Sequence, residues 1–196
     1  MLIAHIDDEV TILEATKNLI QVFRTELANA RELAAAEHAD QTSDGVSSED
    51  SVEPQSGDDP DDPELVLQRW VQHGLARNIE PEDLDFEVAS TAKGFWKNIK
   101  KRRKKNLSLP NLILLDLKLD GTDEQSGLKV LDMVKSSPDL KQVPVIMLTT
   151  HTDSALVKLS YERGANGYVG KGGFGEFDGR FFELITHWVG TNKLPT

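Results

Sequence analysis

Residues 111–116, Asn-Leu-Ile-Leu-Leu-Asp, constrain this chain more than any other stretch. Leu112, Ile113, Leu114 and Leu115 show no polar alternation, so they predict a strand buried on both faces at the centre of a parallel sheet. The run ends on Asp116, at the carboxyl end of the strand, where open α/β sheets place their ligand sites. Asp is rarely left at the end of such a strand without a partner. The first strand, Leu2-Ile3-Ala4-His5-Ile6, ends in the same way on Asp7 and Asp8. Two strands delivering three carboxylates to one sheet edge form a hard-oxygen cluster suited to Mg²⁺.

Two more strand ends add to the constellation. Residues 143–148 run into Thr149 and Thr150, and Gly167-Tyr168-Val169-Gly170 runs into Lys171. A metal, a nucleophilic carboxylate, a hydroxyl and an ammonium together make a phosphoryl-accepting site. The cations neutralise phosphate oxygens, the hydroxyl donates a hydrogen bond and the carboxylate attacks in line. Each residue also has an ordinary explanation: Asp8 as a helix N-cap, Thr149 as a β-branched strand residue, Lys171 as a solvated charge, Tyr168 as a core aromatic with a wet hydroxyl. Together those explanations require several coincidences at strand ends.

Helical periodicity separates the strands. Ile12, Thr16, Leu19, Ile20, Phe23 and Leu27 predict a first helix, and the Ala-rich run at 33–36 prolongs it. Residues 85–90 predict a second strand, followed by a helix with Phe95, Trp96 and Ile99 inward. Leu128, Leu131 and Val134 mark a third helix, Ala155, Leu156 and Leu159 a fourth, and Phe177, Phe181, Leu184, Ile185 and Trp188 a last one. Five such units predict a doubly wound five-stranded parallel sheet, an α/β fold.

The formal charge of −11 is local in origin. Residues 32–68 contain twelve Asp or Glu and no Lys or Arg, so the rest of the chain is close to neutral. Within them, 40–63 has too few apolar residues to offset its ordering entropy and predicts a mobile acidic loop. After Pro63, residues 64–75 predict a short amphipathic helix with Leu67, Trp70, Val71 and Leu75 on one face. The chain thus reads as a single domain, 1–196, with an insertion at 37–80. Lys97, Lys100, Lys101, Arg102, Arg103, Lys104 and Lys105 close the second helix and complement its dipole. A nucleic-acid patch there lacks interleaved aromatics beyond Trp96. Attraction of the acidic loop to this cluster is a third reading, one that salt would weaken. None of His5, His38, His73, His151 and His187 has metal-ligand spacing, so all five read as structural or exposed. The absence of Cys excludes disulfides and thiolate metal sites. No apolar run approaches the ~20 residues of a membrane span, and a signal peptide is lacking. A cytoplasmic protein is expected.

With Asp7 and Asp8 after strand one, Asp116 after strand three, Thr149 after strand four and Lys171 after strand five, the chain resembles the receiver domain of two-component response regulators over residues 1–30 and 85–190. The resemblance implies a flavodoxin-like sheet of order 2-1-3-4-5. It implies an acceptor Asp116 that takes a phosphoryl group from a sensor histidine kinase or phosphotransfer protein. Mg²⁺ would lie on Asp8 and Asp116, with Asp7 holding a coordinated water and the Lys118 carbonyl completing the protein ligands. Thr149 and Lys171 would contact the phosphoryl group, and Thr149 and Tyr168 would form the switch to a surface of the fourth helix, fifth strand and fifth helix. Output would be binding of a downstream protein or a homodimer, with no DNA-binding domain, no membrane association and no enzymatic activity beyond self-phosphorylation and self-dephosphorylation. The tail from His187 to Pro195 resembles the small regulators that partner bacterial phytochrome kinases.

The chain departs from the family at several points. Gly172 replaces the usual Pro after the Lys, so the family's cis peptide is expected to be absent. The loop after Asp116 is about three residues longer, its usual Pro is Asp120, and Thr150 stands where Ala is normal. A degenerate receiver acting as a phosphorylation-independent scaffold is therefore an alternative. A phosphatase of the haloacid dehalogenase type is another, since Asp120-Gly121-Thr122 matches part of its signature. That signature needs Asp at residue 118, which is Lys118, and it leaves Asp7 and Asp8 without a role.

Overall fold

The computed structural model describes residues 1–40, 84–119, 126–172 and 177–191, with Leu194. The acidic stretch beyond residue 40, the helix expected at 64–75 and Asp120 lie outside them. The predicted strands occur as β1 (Leu2–Ile6), β2 (Asp85–Ala89), β3 (Leu112–Leu115), β4 (Val145–Thr149) and β5 (Gly167–Gly170). They form one sheet, all parallel, in the order β2-β1-β3-β4-β5. Between them run α1 (Val10–Asp40), α2 (Ala92–Lys105), α3 (Ser126–Ser136), α4 (Ser154–Glu162) and α5 (Phe177–Ile185), the last continuing into wider turns over Thr186–Thr191. No described helix is long and apolar enough to cross a membrane.

Alternation along the central strands builds two cores. Leu112 and Leu114 join Ile3, Ile146 and Leu148 under Leu19, Ile20 and Phe23 of α1 and Phe181, Leu184 and Ile185 of α5. Ile113 and Leu115 point the other way, with Ala4, Ile6, Val145 and Met147, against Phe95 and Ile99 of α2 and Leu128, Leu131 and Val134 of α3. This is why β3 is apolar without interruption: both of its faces are covered. The Ala-rich run does prolong α1, to 31 residues or about 46 Å, against about 17 Å for a five-residue strand. Thr16 is buried in α1 at no hydrogen-bonding cost, because its hydroxyl donates to the Ile12 carbonyl at 2.7 Å.

Two details differ from the helical patterning. Ala155 is exposed, and Ser160 is the buried residue of α4. Ala155 sits in the first turn, where its amide and that of Leu156 are tied to the Asp153 carboxylate at 2.8 and 3.3 Å. The side chain there points away from the sheet. Leu13, which the periodic pattern omits, is buried.

Candidate functional site

The sheet register brings the carboxylates together. The Asp116 amide donates to the Ile6 carbonyl at 2.9 Å, and the Asp7 amide donates to the Ala89 carbonyl at 3.1 Å. These bonds extend the β1–β3 and β1–β2 ladders one step past the strands and fix both residues at the carboxyl edge. Ligand oxygens of Asp7, Asp8 and Asp116 all lie within 4.8 Å of one another. Asp7 and Asp116 are buried and Asp8 half-buried. Lys118 lies two residues past Asp116 and is half-buried.

Lys171 enters the cluster from the end of β5, its amide held by the Thr149 carbonyl at 2.9 Å. It is 2 % exposed. Its Nζ lies 2.7 Å from Asp7 Oδ2, 3.3 Å from Asp116 Oδ2 and 3.6 Å from Glu9 Oε1. The remaining oxygens of the two buried aspartates bind backbone. Asp7 Oδ1 accepts from the Glu9 amide at 3.0 Å and Asp116 Oδ1 from the Leu117 amide at 2.8 Å. Burial raises the Asp116 carboxyl above its ordinary value, and the Asp7 charge adds to this against the opposing pull of Lys171 and the Thr149 hydroxyl. For Asp7, burial is outweighed by His5 and Lys171, and its carboxyl sits below the ordinary value. Burial likewise opposes the charge on Lys171, but Asp7 and Asp116 together raise its ammonium above the ordinary value. Two carboxylates around one ammonium leave excess negative charge, with Asp8 adding more. A divalent cation with oxygen ligands fits that donor set.

Thr149 is fully buried, with its hydroxyl 3.3 Å from His151 Nδ1. Tyr168, half-buried, donates from its hydroxyl to the His151 carbonyl at 2.7 Å. His151, read from the sequence as structural or exposed, thus joins the two predicted switch residues. Gly172 has φ +76°, and no cis peptide occurs among the described residues. Pro is locked near −65°, so the chain leaves Lys171 along a path that a proline cannot follow. A separate cavity of about 870 Å³, between Leu2, Arg102, Leu109, Asn111 and Leu194, lies at the amino-terminal sheet edge and shares none of these groups.

Three neighbours of the site escaped sequence reasoning. Glu9 approaches Lys171 from an exposed position. Gly127, in the first turn of α3, donates its amide to the Leu117 carbonyl at 2.7 Å and lies against the backbone of Asp116. Glycine near a helix start carries an entropic penalty, which is a weak signal of such contact. His5 is fully buried beside Asp7, its Nε2 3.4 Å from Oδ2. The available signal was strand alternation, which puts residues 5 and 7 on one face.

Comparison with known proteins agrees with this architecture. Residues 68–174, more than half of the chain, match the response regulator receiver domain. The chain belongs to that family, whose members serve two-component signalling. The match spans Asp116, Thr149 and Lys171 but begins within the insertion, after Asp7 and Asp8. Among curated proteins, the chain is similar to response regulator Rcp1 of Synechocystis sp., 47 % identical over 66 residues, 34 % of this chain and 43 % of that protein. It is also similar to the probable methanogenesis regulatory protein FilR2 of Methanothrix harundinacea, 35 % identical over 89 residues, 45 % of this chain and 56 % of that protein. The chain therefore spans about half the length of these curated relatives. The Mn²⁺-bound structure of Rcp1 superimposes with a TM-score of 0.59 at 21 % identity, covering 100 % of this chain and 99 % of that one. The phosphorylated cyanobacterial phytochrome response regulator RcpA gives a TM-score of 0.59 at 21 % identity, covering 100 % and 98 %. At that identity the two structures share the fold.

Proposed function

We propose that this chain is a phosphoryl-accepting response regulator of the cytoplasm whose acceptor is Asp116. The observation that carries the reading is Asp116 itself, a buried carboxylate 3.3 Å from the Lys171 ammonium and grouped with Asp7 and Asp8. In the reaction an Asp116 carboxylate oxygen attacks the phosphorus of a phosphohistidine on a sensor kinase or phosphotransfer protein. The phosphorus–nitrogen bond breaks, its electrons return to the imidazole, and an acyl phosphate forms on Asp116. Lys171 neutralises charge on the phosphoryl oxygens, and the Thr149 hydroxyl donates to one of them.

Asp8 and Asp116 would hold Mg²⁺ directly, Asp7 through a water, and the Lys118 carbonyl would complete the protein ligands. The ion supplies charge neutralisation during transfer. Phosphate on Asp116 draws the Thr149 hydroxyl inward, and Tyr168 gives up its bond to the His151 carbonyl to fill the vacated space. That biases a two-state equilibrium at α4, β5 and α5, where a downstream protein or a second copy binds. Tyr161 is exposed on this surface, and Leu156, Leu159 and Trp188 are partly exposed around it. Catalytic activity is limited to self-phosphorylation and self-dephosphorylation.

The test is incubation of the purified chain with acetyl phosphate and Mg²⁺. A base-labile acyl phosphate is expected on the native protein, none on Asp116→Asn, and no Mg²⁺-dependent labelling on Asp8→Ala. Label that persists on Asp116→Asn places the acceptor elsewhere. A native protein that takes no label is a phosphorylation-independent scaffold.

A further inference from the structure

β1 carries a histidine in the layer that should be apolar. His5 is wholly buried, between Val88 of β2 and Leu114 of β3 in the sheet register. Strand alternation puts it on the face of Ile3, which packs under α1 and α5. The Phe86 ring meets the imidazole edge-on, with centroids 6.4 Å apart. Neither ring nitrogen makes a well-aligned hydrogen bond. A buried polar ring in that state forfeits its hydration and gains little in return, so a branched apolar side chain would suit the core better. The polar group that Nε2 approaches is Asp7 Oδ2, at 3.4 Å.

Asp7 depends on its neighbours in an unequal way. Its Oδ1 is held by the Glu9 amide, and its Oδ2 by the Lys171 ammonium at 2.7 Å. Lys171 is shared with Asp116 and is the group that turns to an incoming phosphoryl. The imidazole is fixed in the sheet beneath Asp7 and is not shared in this way. We propose that His5 is a positioning residue for the acidic cluster: its Nε2–H steadies the Asp7 carboxylate from below, so that Asp7 stays turned toward Asp8 and Asp116 while Lys171 serves the phosphoryl group. The inference rests on the acidic cluster binding Mg²⁺ and deepens that reading. The neutral ring with its proton on Nε2 suffices, since a carboxylate accepts from it. Partners behind the ligands of a metal commonly set its affinity in this way.

The test is Mg²⁺ binding to the full chain by isothermal titration calorimetry, with thermal melting of the same samples without metal. His5→Leu removes the N–H and suits the apolar layer. His5→Gln keeps an N–H near the place of Nε2. The Mg²⁺ dissociation constant is expected to rise about tenfold in His5→Leu and to stay within about threefold of native in His5→Gln. The melting temperature of His5→Leu is expected to equal or exceed the native one. A residue that served only packing would give the reverse, with lower melting and unchanged binding. Native affinity in His5→Leu overturns the inference, as does equal weakening in His5→Leu and His5→Gln. If His5→Leu does not fold, His5→Met, a more adaptable apolar side chain, takes its place with the same expectations. A native protein that binds no Mg²⁺ overturns the acidic-site reading itself, a result distinct from native binding that His5 variants leave unchanged.

Discussion

Gly127 limits how Asp116, the proposed acceptor, can be held. A methyl group at that position would lie 2.0 Å from the Asp116 carbonyl oxygen and 2.8 Å from both Cα and the carbonyl oxygen of Leu117. Backbone cannot yield as a flexible side chain can. Gly127→Ala is expected to cost about 1–3 kcal/mol of unfolding free energy in urea, as overpacked sites do. It should also reduce acyl-phosphate labelling under conditions where the variant remains folded. Lys171→Met probes the opposite term at the same place. It leaves Asp7 and Asp116 buried without a cation, so about 3 kcal/mol should be lost at neutral pH. Added Mg²⁺ should restore part of the loss, read as a larger metal-induced rise in melting temperature than the native protein shows. The strand-end aspartates, Thr149 and Lys171 were legible in the sequence because strand ends declare themselves. Gly127 and His5 were not, because their roles depend on what lies across a contact.

The same distinction holds for the helices. Periodicity located α2 and its cationic end, and the dipole reading gave those cations a role. The structure gives two of them specific partners as well. Arg102 Nε lies 2.6 Å from Glu87 Oε2, tying α2 to β2. Arg103 grips Asp139 through Nε and Nη2, both at 2.7 Å, and also donates to Ser137 at 3.0 Å. Lys97, Lys100, Lys101, Lys104 and Lys105 are exposed. The Arg103 contact lowers the Asp139 carboxyl from 3.8 to about 2. A carboxyl lowered by folding stabilises the fold above its unfolded pKa and stops doing so as pH falls through the folded one. The pair is partly solvated, so Asp139→Asn should cost about 0.5–1 kcal/mol at pH 7. The difference between native and variant urea midpoints should shrink from about pH 4 and vanish near pH 2. A cap prediction is independent of it: Asp153→Ala removes the acceptor of two α4 amides and should cost about 1 kcal/mol.

At the scale of the whole molecule, the parallel register assembles the site from segments far apart in sequence. Five alternating units made a doubly wound parallel sheet legible, and the resemblance to the receiver family supplied its strand order. The chain returning from the insertion is held twice at its entry to β2. The Arg24 guanidinium of α1 donates to the Leu84 carbonyl, and the Asp85 amide donates to the Met1 carbonyl at 2.7 Å. α1 ends at Asp40, about 24 Å along the helix from Arg24. After removal of 40–62, the roughly 20 residues left before Leu84 could span about 70 Å if extended, more than enough to return. Deleting 40–62 is therefore expected to leave acyl-phosphate labelling and any phosphorylation-dependent association unchanged. Loss of either, by autoradiography or by sedimentation of labelled protein, would make the insertion part of the mechanism.

The length of α1 also bears on how the molecule moves through solvent. A rod of about 46 Å laid beside strands of about 17 Å gives the described residues a long axis. Rotation about that axis meets less drag than end-over-end tumbling. Backbone amides aligned with α1 should then relax differently in nuclear magnetic resonance from amides across it. Fluorescence anisotropy of a dye fixed on the helix should decay with more than one correlation time, where a sphere of equal mass would give one.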